Sequence, residues 1–300
     1  MSLDNSEIRF TKMHGIGNDY IYINCMESVP EDLPSLSMEM SDRHTGVGGD
    51  GIILILPSDK ADCMMRIFNA DGSEAMMCGN GIRCVGKFVH DKGIVKGLRI
   101  SVDTRSGVKI LDMHPGPDGL IESVTVDMGA PVTEAALVPV NAPSAMMIEE
   151  PVTTSAGPLK LTAVSMGNPH GVIFVDTLEG VDVHGLGREL EMHPMWPHRA
   201  NIEFVEPLPD GSLRMRVWER GSGETMACGT GACAVAVAAN LTGRAGSRTT
   251  VRLLGGDLTI RLNPDGHVMM TGPAATVFEG TYRRRSASHS SAGPETPPRH

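Results

Sequence analysis

Short runs of alternating or continuous apolar residues, rich in valine and isoleucine, recur along the chain: Ile8 to Phe10, Tyr20 to Asn24, Ile52 to Leu56, Met64 to Phe68, Ile100 to Thr104, Ser123 to Asp127, Val172 to Val175, Ile202 to Val205, Arg214 to Trp218 and Thr250 to Leu254. Turn-forming residues separate them, so each run predicts a strand. Two runs have a different pattern. Ile82 to Asp91 and Ala232 to Leu241 are compatible with helix, stop near Gly93 and Gly243, and each follows a Cys-Gly-x-Gly sequence. Each of those cysteines is therefore expected at a helix N-terminus. Ala234 to Ala239 is apolar on all sides, as a centrally buried helix requires. Many short strands and few helices predict an α/β (α+β) chain in which each half wraps its strands around one apolar helix.

The pattern repeats. With a shift of 150, Arg66 to Gly81 meets Arg216 to Gly231, and six of the sixteen positions are identical: Arg66/Arg216, Glu74/Glu224, Met76/Met226, Cys78/Cys228, Gly79/Gly229 and Gly81/Gly231. The same shift lays Gly17-Asn18 on Gly167-Asn168, each followed by a strand-like run. Two blocks sharing one offset without a gap indicate duplication. Halves related by an approximate two-fold axis would bring Cys78 and Cys228 to equivalent places across a cleft between them, where ligand sites commonly form.

Composition narrows the function classes. A chain of 300 residues has room for two domains, and 41% hydrophobic with 21% charged residues fits a globular protein. A net charge of −10 argues against nucleic acid and anionic membrane surfaces as partners, leaving a small-molecule substrate. The longest apolar runs are far below the roughly 18 residues of a membrane span. Met1 to Glu7 has neither the basic nor the apolar region of a secretory signal, so a cytoplasmic location is expected. From Arg283 the chain is of low complexity and is expected to be a disordered tail, 283–300.

The six cysteines are too few for a disulfide scaffold. Cys25, Cys63, Cys84 and Cys233 read as small core hydrophobes. Cys78 and Cys228 read differently, because a helix N-terminus favours a thiolate. Glycines beside each cysteine, Gly79, Gly81, Gly229 and Gly231, let backbone N–H groups approach an anion closely. If that anion is the α-carboxylate of an amino acid, its α-carbon lies between the sulfurs. One thiolate can then remove the α-proton while the opposite thiol returns one from the other face, inverting the stereocentre.

Other chemistries fit less well. There is no Cys-x-x-Cys redox pair, and the tandem spacings Cys78/Cys84 and Cys228/Cys233 do not suit zinc, so no metal is expected. His193 and His198 read as an exposed loop. Gly46-Val-Gly-Gly-Asp-Gly51 satisfies G-x-G-x-x-G but precedes an apolar strand instead of following one. A pyridoxal phosphate enzyme needs a Schiff-base lysine. The nearest candidates, Lys12 and Lys87, lie outside both cysteine blocks, and no cofactor is expected.

Taken together, His14-Gly-Ile-Gly-Asn-Asp19, Asp42-Arg-His-Thr-Gly-Val-Gly-Gly-Asp50, Phe68-Asn-Ala-Asp-Gly-Ser-Glu74, Cys78-Gly-Asn-Gly-Ile-Arg-Cys84, Gly167-Asn-Pro-His170, Asn201 with Glu203-Phe-Val205, and Glu219 to Cys233 resemble the diaminopimelate epimerase family, from about residue 9 to 282. The resemblance implies cofactor-independent interconversion of LL- and meso-2,6-diaminopimelate, with Cys78 and Cys228 as the acid/base pair. It implies that the backbone N–H groups of Gly79, Asn80, Gly229 and Thr230 hold the reacting carboxylate. It also implies that Asn18, Asn69, Asn168, Asn201, Glu219 and Arg220 bind substrate, and that His170 and Glu219 influence the protonation of the thiols. Many family members carry Gln where this chain has Gly51, so a contact of that side chain is absent here or supplied by backbone or water.

The implied fold is two pseudo-symmetric lobes, each a barrel-like, mostly antiparallel sheet around a central helix, with the site in the interlobe cleft. The last strand returns to the first lobe. On this chain that places 1–127 with 271–282 in the N-terminal lobe and 128–270 in the C-terminal lobe. For assembly the family suggests a homodimer. Amino-acid racemases of other specificity share the architecture and are the alternative, along with a non-catalytic thiol redox or amino-acid-binding protein.

Overall fold

The computed structural model describes residues 7–284. The first half of the chain forms β1 (Glu7–Gly15), β2 (Asn18–Asn24), α1 (Leu33–Ser41), β3 (Gly51–Leu56), β4 (Cys63–Asn69), β5 (Glu74–Ala75), α2 (Gly79–Asp91), β6 (Arg99–Thr104), β7 (Gly107–Pro115) and β8 (Ile121–Asp127). After β9 (Glu150–Thr154) the second half repeats the order. Its elements are β10 (Gly157–Ser165), β11 (Pro169–Phe174), α3 (Val183–Glu191), β12 (Asn201–Pro207), β13 (Leu213–Glu219), β14 (Gly223–Thr225), α4 (Gly229–Leu241), β15 (Arg248–Leu253), β16 (Gly256–Leu262) and β17 (Val268–Pro273). β18 (Ala275–Arg283) closes the chain. A shift of 150 carries the bounds of β1, α1, β4 and α2 onto those of β10, α3, β13 and α4 without remainder.

Most neighbouring strands are antiparallel. The parallel pairs, β2 with β3 and β4 with β6, recur as β11 with β12 and β13 with β15. A parallel pair needs a crossover, and the four helices lie in these crossovers. α1 and α3 begin at Asp32 and Asp182, whose carboxylates accept from the N–H groups of Ser35 and Gly185. The halves meet where β8 pairs with β17, Val126 opposite Met270. The lobe boundary expected between residues 270 and 271 thus falls inside β17, which also pairs with β16.

β18 lies on β1 at the far side of the first half, with Arg283 opposite Glu7 and ion-paired to it at 2.8 Å. Arg283 and Arg284, expected in the tail, are therefore part of the fold; the rest of that tail, like residues 1–6, lies outside the described residues. The helices α2 and α4 touch each other and share one continuous core with strands of both halves. α4 is buried along nearly its whole length, which explains why its sequence has no polar face. Smaller cores lie under α1 and α3. Among the described residues no helix is long and apolar enough to cross a membrane.

Candidate active site

Both helices start three residues earlier than the apolar pattern indicates, which makes the cysteines their N-cap residues. Cys78 (φ −136°, ψ 116°) and Cys228 (φ −123°, ψ 108°) have extended backbones, and their sulfurs accept the N–H of Gly81 at 3.3 Å and of Gly231 at 3.4 Å. A thiol thus takes the place of the usual serine or aspartate cap. The glycines are needed for space. A Cβ at Gly81 would stand 2.8 Å from Ile53, and one at Gly231 would stand 2.7 Å from a Glu203 carboxylate oxygen. The two helix starts nearly touch, since a Cβ at Gly79 would lie 3.8 Å from the Cα of Gly229.

A cleft of about 1650 Å³ opens over these two helix starts. Asn18, Asn69, Cys78, Gly79, Asn80, Asn168, Glu219, Arg220, Cys228, Gly229 and Thr230 all line it. The first N–H groups of α2 and α4 have no carbonyl partner within their helices, so together they can receive an anion in the cleft floor. Asn18 is fixed by Asp50, which accepts its Nδ2 at 2.7 Å; its Oδ1 then faces the Cys78 thiol, which donates to it at 3.2 Å. On the other side the Cys228 sulfur lies 3.5 Å from the Thr230 hydroxyl.

His170 and Asn201 are not on the cleft surface. His170 is fully buried behind Asn168, 3.0 Å from its Oδ1, with its other ring nitrogen 2.6 Å from Glu203. Asn201 is buried as well; it accepts the backbone N–H of Arg220 at 3.0 Å and donates to the Pro169 carbonyl at 3.1 Å, so it shapes the turn that presents Glu219 and Arg220. The Arg220 guanidinium donates to the His198 carbonyl on the cleft rim.

Burial dominates the electrostatics. It pushes both thiols above the ordinary cysteine value, against the N–H groups of each helix start; Cys228 is driven further because Glu219 and Glu203 add to burial. The thiolates expected from helix position alone are therefore disfavoured at neutral pH. Burial likewise raises the Glu219 carboxyl, although Thr225 and Cys228 hydrogen-bond to it. Cys25, Cys63 and Cys233 are pushed up to about 12 and Cys84 to about 11 by burial, as befits core thiols.

Sequence reading missed Tyr20, Asp50 and Glu203. The offset of 150 points to Tyr20, which lines the cleft at the position equivalent to His170. At Gly51, a Cβ would stand 2.1 Å from the Phe68 carbonyl, so the local backbone is shaped around glycine. Lys12 is bound to Gly48 and Asp19, and Lys87 to Asp91 and the Ile121 carbonyl; neither lines the cleft. Among the described residues no group of three or more His, Cys, Asp or Glu side chains is placed to hold a metal ion.

The diaminopimelate epimerase family model matches residues 10–134 and 162–277. Diaminopimelate epimerases from Phocaeicola vulgatus and Acetivibrio thermocellus are 55% and 51% identical to the chain over 274 residues, covering 91% of it and 97% and 98% of those proteins. One from Methanococcus maripaludis is 50% identical over the same length. Among solved structures, a hydroxyproline epimerase from Agrobacterium vitis superposes with a TM-score of 0.67 at 18% identity, covering 92% of each chain. A Bacillus anthracis phenazine biosynthesis protein of the PhzF family also gives 0.67, at 15% identity, covering 92% of this chain and 98% of that one. These structures share the two-lobe α+β fold.

Proposed function

The chain belongs to the diaminopimelate epimerase family, and we propose that it interconverts LL- and meso-2,6-diaminopimelate by moving the α-proton between two thiols, without pyridoxal phosphate. This reaction serves lysine and peptidoglycan precursor biosynthesis. The observation that carries the mechanism is the pair of cysteine-capped helix starts, Cys78 and Cys228, abutting in one cleft floor.

In this reading the reacting carboxylate lies on the N–H groups of Gly79, Asn80, Gly229 and Thr230. That anchors the α-carbon between the sulfurs. One thiolate takes the α-proton; the C–H electron pair passes to the α-carbon and its carboxylate, where the two helix dipoles stabilise the developing charge. The opposite thiol then donates its proton to the other face, so thiolate and thiol have exchanged places and the stereocentre is inverted. Glu219, hydrogen-bonded to Cys228, and His170, held by Glu203 behind Asn168, bias which thiol keeps its proton. Asn69, Asn168 and Arg220, with Asn201 supporting Arg220, receive the distal amino-acid head, whose carboxylate suits a guanidinium. The enzyme is cytoplasmic and homodimeric in this proposal, the latter checked by sedimentation.

The test is solvent exchange. Reduced protein in D2O should place deuterium at the α-carbon of LL-diaminopimelate and accumulate the meso isomer, leaving proline, histidine and glutamate unchanged. Folded, reduced protein that exchanges no α-hydrogen overturns the reading; turnover of another amino acid instead reassigns the substrate.

A further inference from the structure

Arg83, on the first turns of α2, is the largest fully buried side chain in the described protein. Its guanidinium donates to two backbone carbonyls, Gly79 and Pro273, both at 3.2 Å, and approaches the Met270 sulfur at 3.9 Å. Its remaining terminal nitrogen has no hydrogen-bond partner, and no carboxylate pairs with it among the described residues. Two glycines make room for it: a Cβ at Gly15 on β1 would lie 2.9 Å from Nη2, and one at Gly272 on β17 would lie 3.1 Å from Nε. A buried charge without a counter-ion is costly. Burial lowers its affinity for the proton, yet a guanidinium starts so basic that it stays charged at neutral pH.

The second half has no counterpart, because the offset of 150 places Cys233 where Arg83 stands. The charged surroundings of the two reactive thiols therefore differ: Glu219 faces both, but Arg83 stands on the Cys78 side and a second carboxylate, Glu203, on the Cys228 side. Cys78 faces Tyr20 and Tyr22 on β2, Asp50 before β3, Cys84 and Arg83 on its own helix, and Glu219 across the cleft. Cys228 faces Glu219 at the end of β13 and Glu203 on β12, with His170 behind them.

We propose that Arg83 is a positioning residue that makes Cys78 ionise before Cys228: the sealed guanidinium, anchored to the carbonyl of the residue after Cys78, holds a fixed positive charge on that side of the pair. The inference rests on the two-thiol reading above and deepens it, because it breaks the symmetry of the pair. The uncompensated charge also becomes understandable, since a carboxylate partner would cancel the field.

The experiment reads thiolate formation directly, through the pH dependence of iodoacetamide alkylation resolved per cysteine by peptide mass. It needs no turnover, so it is separable from the exchange test. In the unmodified protein the alkylation midpoint of Cys78 should lie below that of Cys228; a midpoint for Cys228 equal or lower overturns the proposal without any variant. Arg83→Met should then slow Cys78 alkylation at neutral pH about tenfold, one unit of midpoint, while Arg83→Lys restores most of it. A purely structural role predicts equal loss of stability for both variants and an unmoved Cys78 midpoint, and that result also overturns the proposal.

Discussion

The side-chain amide of Asn80 donates to the carbonyl of Ala227 at 3.2 Å, tying the first turn of α2 to the residue before Cys228. Its own Oδ1 is buried without a partner, 3.6 Å from where a Cβ at Gly229 would stand. The bond therefore sets the spacing of the two helix starts in the cleft floor. Asn80→Asp keeps the shape but replaces a donor by an anion facing both the Ala227 carbonyl and the proposed carboxylate site. We expect kcat/KM to fall about 100-fold, or about 2.7 kcal/mol, mostly through KM. Unchanged steady-state kinetics in a folded Asn80→Asp protein would place the substrate carboxylate elsewhere.

Cys78→Ala and Cys228→Ala each remove one of the two proposed proton carriers. Either change should lower epimerisation by about a thousandfold or more, within the range of losing general acid–base catalysis, while calorimetric binding of substrate persists. A binding protein would show affinity in both forms and turnover in neither, including the unmodified chain.

Much of this site was legible because a duplication writes the same signal twice. The cysteine blocks, the Gly-Asn turns before β2 and β11, and the strands that flank them all follow from the offset of 150. What escaped was hidden by local composition. Leu33–Ser41 is rich in serine and contains Pro34, and Val183–Glu191 contains two glycines, so neither looks helical; only the matching aspartates, Asp32 and Asp182, mark their starts. β18 is largely exposed and shows little apolar alternation, so its own pattern does not reveal it; the family resemblance alone implies a last strand returning to the first half, where it pairs with β1. The roles of His170 and Asn201 as supports behind the cleft depend on packing between distant segments, which no linear spacing encodes. Nothing in the spacing of Arg83 along its helical run shows that the fold encloses it.

Activity should depend on pH through the thiols. Burial raises both, so the reactive thiolate is scarce in mildly acidic solution and grows with pH. kcat/KM is expected to rise about tenfold per unit along the acid limb and to fall again once both sulfurs are ionised, because the returning proton needs a thiol. The profile from about pH 6 to about 10 checks this; a flat line over that range excludes a thiolate base.

Arg220 should control affinity more than rate. Its backbone is fixed by Asn201 and its side chain is exposed at the cleft rim, where it can turn from the His198 carbonyl to a ligand carboxylate. Arg220→Met is expected to raise KM about 30-fold or more, the loss of a charge-assisted hydrogen bond worth about 2 kcal/mol. The same change should leave KM unaltered for an analogue lacking the distal carboxylate, and a rise there too would assign Arg220 to the reacting end.

Stability in acid should trace to Asp91, at the end of α2. Burial pushes this carboxyl up, but hydrogen bonds from Lys87 at 2.7 Å, the Ile121 N–H at 3.0 Å and His90 outweigh it and hold it below the usual carboxylate range. A carboxyl whose folded pKa is depressed binds fewer protons in the folded state than in the unfolded one. Its contribution is complete above the unfolded value of about 4 and is lost as pH falls through the lower folded value. Asp91→Asn should therefore cost most near neutral pH, about 3 kcal/mol, because it strands the nearly buried Lys87 ammonium against the Ile121 carbonyl alone. The gap between variant and parent, followed by urea denaturation, should narrow as pH drops below about 4. A gap that stays constant with pH would show that Asp91 acts by packing and not by charge.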